Sequence, residues 1–280
     1  MKTFWLGGVA TLAIMASLAG QANAADLPAA APAYKTPAVV PSPAFNWSGF
    51  YVGANVGYGW GNDDGAQITD FPPTVATFAI GQTPTALRFR QKGVIGGAEA
   101  GYNWQSASLV YGVEADISAT DIKGSGTFFF PGSILGAPET TTASSSLDWL
   151  ATIRGRLGFT PVDRLLIFGT AGVAFGQVKN GLSIVANNPA IPFFDVAAGS
   201  RESTRVGWVA GLGTQYAVTN DIFAKVEWLY YDLGTSTASV NEVLNGVPLP
   251  SGFSSSVKTN GNIVRFGLDY RFGGPVVAKY

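Results

Sequence analysis

Asn262-Ile263-Val264-Arg265-Phe266-Gly267-Leu268-Asp269-Tyr270-Arg271-Phe272 is the stretch on which the reading of the whole chain turns. Taken in steps of two from its end it gives Phe272, Tyr270, Leu268, Phe266 and Val264, all apolar, while the alternate positions are Arg271, Asp269, Gly267 and Arg265. A period of two with one apolar and one charged face is a β-strand set between two unlike media. The apolar medium is either a protein core or lipid. One strand does not choose between them, so the rest of the chain has to.

The same alternation recurs seven more times. Phe50, Val52, Ala54, Val56, Tyr58 and Trp60 alternate with Tyr51, Gly53, Asn55, Gly57 and Gly59. A second strand sets Val94, Ala98, Ala100, Tyr102 and Trp104 against Gln91, Glu99 and Asn103, and a third sets Leu109, Tyr111, Val113, Ala115 and Ile117 against Gly112, Glu114, Asp116 and Ser118. The fourth opposes Trp149, Ala151, Ile153, Leu157 and Phe159 to Asp148, Thr152, Arg154 and Arg156. The fifth carries Leu165, Ile167, Ala171, Val173 and Phe175, with Phe168 breaking its polar face. The sixth opposes Val206, Trp208, Ala210, Leu212 and Tyr216 to glycines and Gln215, and the seventh opposes Ile222, Ala224, Val226, Trp228 and Tyr230 to Lys225 and Glu227. The polar-face glycines lack the Lys and following helix of a phosphate loop and read as small residues of a narrow lumen.

Connections between these strands alternate long and short. The long ones lie near 62–86, 124–143, 180–203 and 234–259, and the short ones at Ser106, Pro161-Val162-Asp163-Arg164 and Thr219-Asn220-Asp221. Run up and down accordingly, the outward aromatics fall into two levels. Phe50, Tyr102, Tyr111, Phe159, Tyr216, Tyr270 and Phe272 lie toward the turns; Tyr58, Trp60, Trp149, Phe175, Trp208, Trp228 and Tyr230 lie toward the loops. Two aromatic girdles around an apolar band are the pattern of an outer-membrane barrel, and a soluble barrel, apolar inside, has no cause for them. The expected fold is all-β, an eight-stranded antiparallel up-and-down transmembrane β-barrel over 47–272, with both termini in the periplasm.

Composition agrees. Among 280 residues there are 36 Gly and only 12% are charged, the mean hydropathy is +0.22, yet beyond residue 20 no apolar run approaches the roughly 18 residues of a spanning helix. The hydrophobicity is therefore spread through strands. Lys2, the apolar Leu6–Ala19 and Ala22-Asn23-Ala24 read as a signal peptide over 1–24. Residues 25–46, with Pro28, Pro32, Pro37, Pro41 and Pro43, read as an extended periplasmic linker. Residues 273–280 form a tail. A formal net charge of −1 leaves no basic patch for nucleic acid.

The segment Trp47–Gly61, the pair Gly101-Tyr102-Asn103-Trp104-Gln105 and Tyr111–Ile117, and the closing Asp269-Tyr270-Arg271-Phe272 resemble the small outer-membrane barrels of alphaproteobacteria, the Brucella-type 25 and 31 kilodalton outer-membrane immunogenic proteins of the porin family. The resemblance spans nearly the whole chain except the long loops. It implies an outer-membrane protein that supports envelope integrity and host-facing surface properties, with lipid, lipopolysaccharide and the barrel-assembly machinery as partners and a host or small-molecule ligand at the loops. Pore activity and haem binding are claimed for some members. Such barrels usually end on the aromatic of their assembly signal, read here as Val264, Phe266, Leu268, Tyr270 and Phe272, but Gly273–Tyr280 follow it in this chain.

The chemistry available is narrow. Cys and His are both absent, so there is no His base for an enzymatic barrel, no Cys or His metal site and no His ligand for haem, and the long connections offer no Cys, Tyr or Met either. No catalytic, cofactor-binding or metal residues are expected. The inward charges are Glu99, Glu114, Asp116, Glu227 and Asp269 against Arg154, Arg156, Lys225, Arg265 and Arg271. Equal numbers of both signs in a narrow interior read as an ion-pair network that plugs the lumen. A small diffusion channel and a loop-mediated receptor or adhesin are the alternatives. Phe128-Phe129-Phe130 and Ile191-Pro192-Phe193-Phe194 are the loop aromatics, read as packing of the loops on one another.

Overall fold

The computed structural model describes residues 45–62, 65–71, 81–132, 136–188, 190 and 193–272. The expected leader, the linker up to residue 44, the tail and Ile191-Pro192 lie outside the described residues. Ten strands follow in chain order: β1 (Gly49–Gly61), β2 (Ala66–Phe71), β3 (Ala86–Leu87), β4 (Lys92–Ser106), β5 (Leu109–Phe130), β6 (Glu139–Val162), β7 (Leu165–Asn188), β8 (Phe193–Ala217), β9 (Ile222–Leu244) and β10 (Val247–Phe272). Eight of them close a ring in the order β1-β4-β5-β6-β7-β8-β9-β10, and β1 pairs antiparallel with β10 from Phe50↔Phe272 to Gly61↔Gly261. Closure leaves neither first nor last strand with an open edge in the lipid, where an unpaired backbone group costs several kcal/mol.

The outer face bears the expected alternation. Val56, Val94, Ile117, Ile153, Leu157, Val206, Leu212, Phe266 and Leu268 are all about 60% exposed, which in this band means exposure to hydrocarbon. Neighbouring girdle rings touch: Phe50 lies 6.0 Å from Phe272, Trp104 5.8 Å from Tyr111 and Trp208 5.2 Å from Tyr230.

The long connections prove to be mainly strand. β6 has 24 residues and β10 has 26, more than twice the 9–11 or so that cross a membrane, so the wall continues past the aromatic level at the long end. There the pattern inverts. On β6, Thr140, Thr142, Ser144 and Ser146 turn outward while Ala143 and Leu147 turn inward, as suits a wall with water outside. Hydroxyl pairs such as Thr237–Ser256 and Ser239–Ser254, each 2.9 Å apart, tie neighbouring strands on this outer face. β2 pairs with the upper part of β10, Gly252↔Phe71 to Val257↔Ala66, where the shorter β1 leaves its edge free. The hairpin between β9 and β10 turns at Asn245-Gly246, both at positive φ (50° and 84°), the two-residue geometry that Asn-Gly favours.

One face assignment changes. Asp148, expected on the lumenal side, is exposed, because the register slips between Leu147 and Trp149 and the bulge turns Asp148 outward toward Ser146.

Candidate functional site: the barrel interior

The interior is stacked in layers. At the short-turn end Trp47, Val110, Leu166, Phe168, Ala217 and Phe223 form a buried cluster with Phe45 against it. Phe45 and Trp47 precede β1, so packed structure starts two residues before the expected barrel boundary. Their rings lie 5.1 Å apart, and Trp47 lies 5.1 Å from Phe223. Trp47 N donates to Gln105 Oε1 at 2.6 Å, which holds this segment across the mouth.

Above it lie the charges. All ten expected lumenal residues, Glu99, Glu114, Asp116, Arg154, Arg156, Lys225, Glu227, Arg265, Asp269 and Arg271, are buried. Glu114 is the hub. It pairs with Arg154, with Lys225 Nζ at 3.1 Å and with Arg156 at 3.4 Å. Arg154 also reaches Glu227 at 2.7 Å and Asp116 at 3.1 Å, and Arg265 bridges the same two acids, donating to Glu227 at 2.8 Å and Asp116 at 3.1 Å. Lys225 reaches Glu99 at 2.5 Å. Arg154 and Arg265 thus each meet carboxylates from more than one strand, the arrangement that offsets the desolvation of a buried charge.

Neutral groups complete the layer. Tyr51 Oη donates to Glu114 Oε2 at 2.7 Å and accepts from Arg156 at 2.8 Å. Arg156 donates to Gln215 at 3.0 Å, and Gln215 donates to Asp269 at 2.6 Å. Phe168, the residue that breaks the polar face of its strand, lies under Arg156 with the guanidinium carbon 4.0 Å from its ring centre, a cation–π contact. Lumenal glycines provide the room. A Cβ on Gly57 would sit 2.7 Å from Arg265 Cβ, one on Gly172 2.7 Å from Arg154 Cα, and one on Gly53 would strike the Asp269 carboxylate.

Two of the ten stand apart. Arg271 lies at the short-turn end, where it donates to the carbonyls of Asn46 and Asn220 (the latter at 2.6 Å), lies 5.4 Å from the rings of Phe45 and Phe223, and reaches Asp221 at 3.7 Å. Asp269 is held through Gln215 and makes no ion pair within 4.0 Å among the described residues.

Over the charges lies an apolar layer of Ile95, Ile122, Leu147, Leu150, Val178, Val209, Leu229, Tyr231, Leu233 and Ile263. Beyond it, inside the extended wall, Ile68, Leu87, Phe89, Leu182, Ile184, Val240, Phe253 and Val257 pack together with Phe128 against them. The first of these layers sits on or next to the expected strands, whose inward apolar residues were not singled out; sequence reasoning assigned most stretches of the second to loops and so missed it. Their signal was present as continued alternation, for instance Ala238 and Val240 between Thr237, Ser239 and Asn241. Of the loop aromatics, Phe128 packs inward, whereas Phe129 is 60% exposed and Phe194 44%.

Comparison with known proteins agrees with this geometry. The family described as outer membrane protein beta-barrel domain matches residues 11–272. The 31 kDa outer-membrane immunogenic protein of Brucella melitensis is 33% identical over 263 residues, covering 92% of this chain and 97% of the relative. The 22 kDa outer membrane protein of Rhizobium leguminosarum is 28% identical over 219 residues, 75% of this chain and 79% of that one. Among solved structures, the outer membrane protein OprG from Pseudomonas aeruginosa aligns over 80% of this chain and 97% of its own with a TM-score of 0.42 and 13% identity. Sharing a third of its residues with a relative it spans almost end to end, and closing its strands into the ring that the family model describes, this chain belongs to the outer-membrane β-barrel protein family.

Proposed function

We propose that this outer-membrane barrel is a structural and surface component of the envelope, without enzymatic activity or cofactor, and that its lumen is plugged. The observation that carries the reading is the vertical order of the interior: an aromatic cluster at the short-turn mouth, a layer of paired charges, then two apolar layers. An aqueous pore needs a continuous polar path, whereas here the paired charges of the lumenal layer are buried between apolar layers, and eight strands leave an interior only about wide enough for side chains. In this reading the short turns and both termini face the periplasm and the extended wall faces outward. The leader over 1–24 is removed, residues 25–44 act as a spacer, and Val264, Phe266, Leu268, Tyr270 and Phe272 are read by the barrel-assembly machinery. Lipid and lipopolysaccharide are then its neighbours in the outer leaflet.

The test is conductance of the refolded mature protein in a planar bilayer. The expected record is flat. Steady unitary openings would replace this reading with a small diffusion channel. One observation favours an additional surface role as receptor or adhesin: the exposed Phe129 and Phe194 at the long end. Replacing both by Ser should then reduce attachment of intact cells to a host surface without lowering barrel abundance, and unchanged attachment would remove that role.

A further inference from the structure

β8 and β9 are laddered from Ala217↔Phe223 up to Trp208↔Asp232, then part, and rejoin only at Val196↔Val243 and Asp195↔Leu244. Over the same height β8 stays paired with β7, and β9 with β10 apart from register shifts at Lys258/Asn260 and, beside Glu242, at Pro248/Gly252. The wall beyond the membrane therefore contains a seam, bounded by residues 197–207 on one side and 233–242 on the other, that is closed by side chains rather than by a backbone ladder. Its lower end is where Gly234 takes φ +73°, a conformation that turns β9 aside and that glycine adopts at no steric cost. Arg205 Nε donates to Leu233 O at 3.5 Å there, and Ser203 Oγ meets Ser236 Oγ at 3.2 Å farther up.

The upper end is closed by two backbone pairs, by Asn245 against Phe194, and by acids. Asp195 on β8 and Glu242 on β9 line a cavity of about 20 Å³ together with Glu139 of β6, Gln82, Ile184 and Phe253. That volume holds about one water molecule. Glu139 accepts from Gln82 Nε2 at 2.6 Å, Thr83 at 2.9 Å and Thr141 at 3.2 Å, and Glu242 accepts from Ser251 at 2.7 Å. Oδ1 of Asp195 and Oε1 of Gln82 have no hydrogen-bond partner. β7 and β10 contribute only the apolar Ile184, Ala186 and Phe253 to this cavity, and no Lys or Arg among the described residues pairs with any of the three acids. Nor are three or more acidic side chains among the described residues arranged to hold a metal ion. A proton is what can relieve the repulsion between Asp195 and Glu242.

We propose that Asp195 and Glu242 form a proton-dependent latch that holds the upper end of the β8–β9 seam shut. Burial, then the hydrogen bond and negative charge of Glu242, then the charge of Glu139, push the Asp195 carboxyl up to about 7. A carboxyl whose pKa is raised in the latched state retains its proton there after the unlatched state has lost it. Latching is therefore strongest below the ordinary carboxylate range, weakens as pH climbs from about 4 to about 7, and is constant above that. The released seam presents two unladdered strand edges and the Val240 side chain, which lies beneath Gly199.

Hydrogen exchange of the mature protein in lipid nanodiscs, read by mass spectrometry, tests this, with peptides from the continuous β4–β5 ladder as the internal reference for intrinsic rates. Relative protection of 197–207 and 233–242 should fall at least about tenfold between pH 4.5 and pH 7.5, less than a three-unit pKa change allows because Asp195 is half-solvated. The Asp195→Asn/Glu242→Gln protein should keep high protection at both. Unchanged wild-type protection, or the same fall in the neutral double variant, overturns the latch. Should that variant misfold, Ser203→Cys/Ser236→Cys gives a second arm, since the chain otherwise has no Cys. Once oxidised it should be equally protected at both pH values, and a pH-dependent loss that survives the disulfide also overturns the proposal.

Discussion

Removing Arg154 should unbalance the buried charge layer more than any other single change, and the structure says which second changes recover the loss. The Arg154 guanidinium meets Glu114, Asp116 and Glu227. Arg154→Met keeps most of the volume but leaves these acids to share Arg265, Lys225 and Arg156, so one negative charge is left without its partner in a low-dielectric interior. The expected cost is about 3–5 kcal/mol. Adding Glu114→Gln removes that surplus charge: Lys225 keeps Glu99, Arg265 keeps Asp116 and Glu227, and Arg156 keeps Tyr51 and Gln215. The double variant should recover on the order of 1–3 kcal/mol, the usual coupling within one network. Asp116→Asn should rescue Arg154→Met for the same reason. Arg156→Met with Glu114→Gln should couple weakly, because their ion pair is 3.4 Å long. Arg156→Met with Asp116→Asn should be additive, since no ion pair joins these two residues. The assay is urea unfolding in lipid vesicles followed by tryptophan fluorescence. Additive losses within about 0.5 kcal/mol in all four combinations, together with steady conductance in the wild type, would mean the charges line water rather than pair with one another.

Three further outcomes follow from the same geometry. Leu268→Arg puts a charge into hydrocarbon between the aromatic levels and should cost roughly 2–4 kcal/mol, less in thinner bilayers. By contrast Gly267→Arg, whose Cβ would lie 3.3 Å from Glu99 Oε1 and from Lys225 Cε, should carry a penalty that ignores bilayer thickness; equal thickness dependence at both positions would contradict the register. Gly246→Ala, at φ 84° in the β9–β10 turn, should destabilise by about 1 kcal/mol, measured by the same unfolding assay, and a neutral result would show that this hairpin does not hold the extended wall. Protease added to intact cells should cut in the connection between β5 and β6 and never at Ala107, Asp163 or Asn220; cleavage at those short turns would reverse the orientation.

Much of this architecture was legible in the chain because alternation is a local property. Whether Phe266 faces lipid and Arg265 the lumen depends only on the pleat, and two aromatic levels separated by an apolar band need a membrane and nothing else. The extended wall was legible too, but less plainly. Its outward set is Ser and Thr rather than Leu and Trp, which resembles loop composition, and Asn245-Gly246 was the overlooked turn signal. Asp148 was misassigned because a bulge adds one residue and flips the face, and no residue type announces a bulge.

What the chain determined by itself, then, is the order of the eight wall strands, the face that side chains take where no bulge intervenes and the medium on each side, since each follows from spacing within about a dozen residues. What only closure decided is who meets whom. Asp116 and Arg265 are 149 positions apart, and Glu114 and Lys225 are 111 apart, and they touch because an eight-strand ring sets both the stagger of each strand and a diameter small enough for side chains to reach across it. The same closure explains Phe168, an error of pattern in its own strand and a platform for Arg156 once the opposite wall is present. It also brings Asp195, Glu242 and Glu139 from three strands to one cavity at the top of the β8–β9 seam, a proximity that no alternation within a single strand can encode.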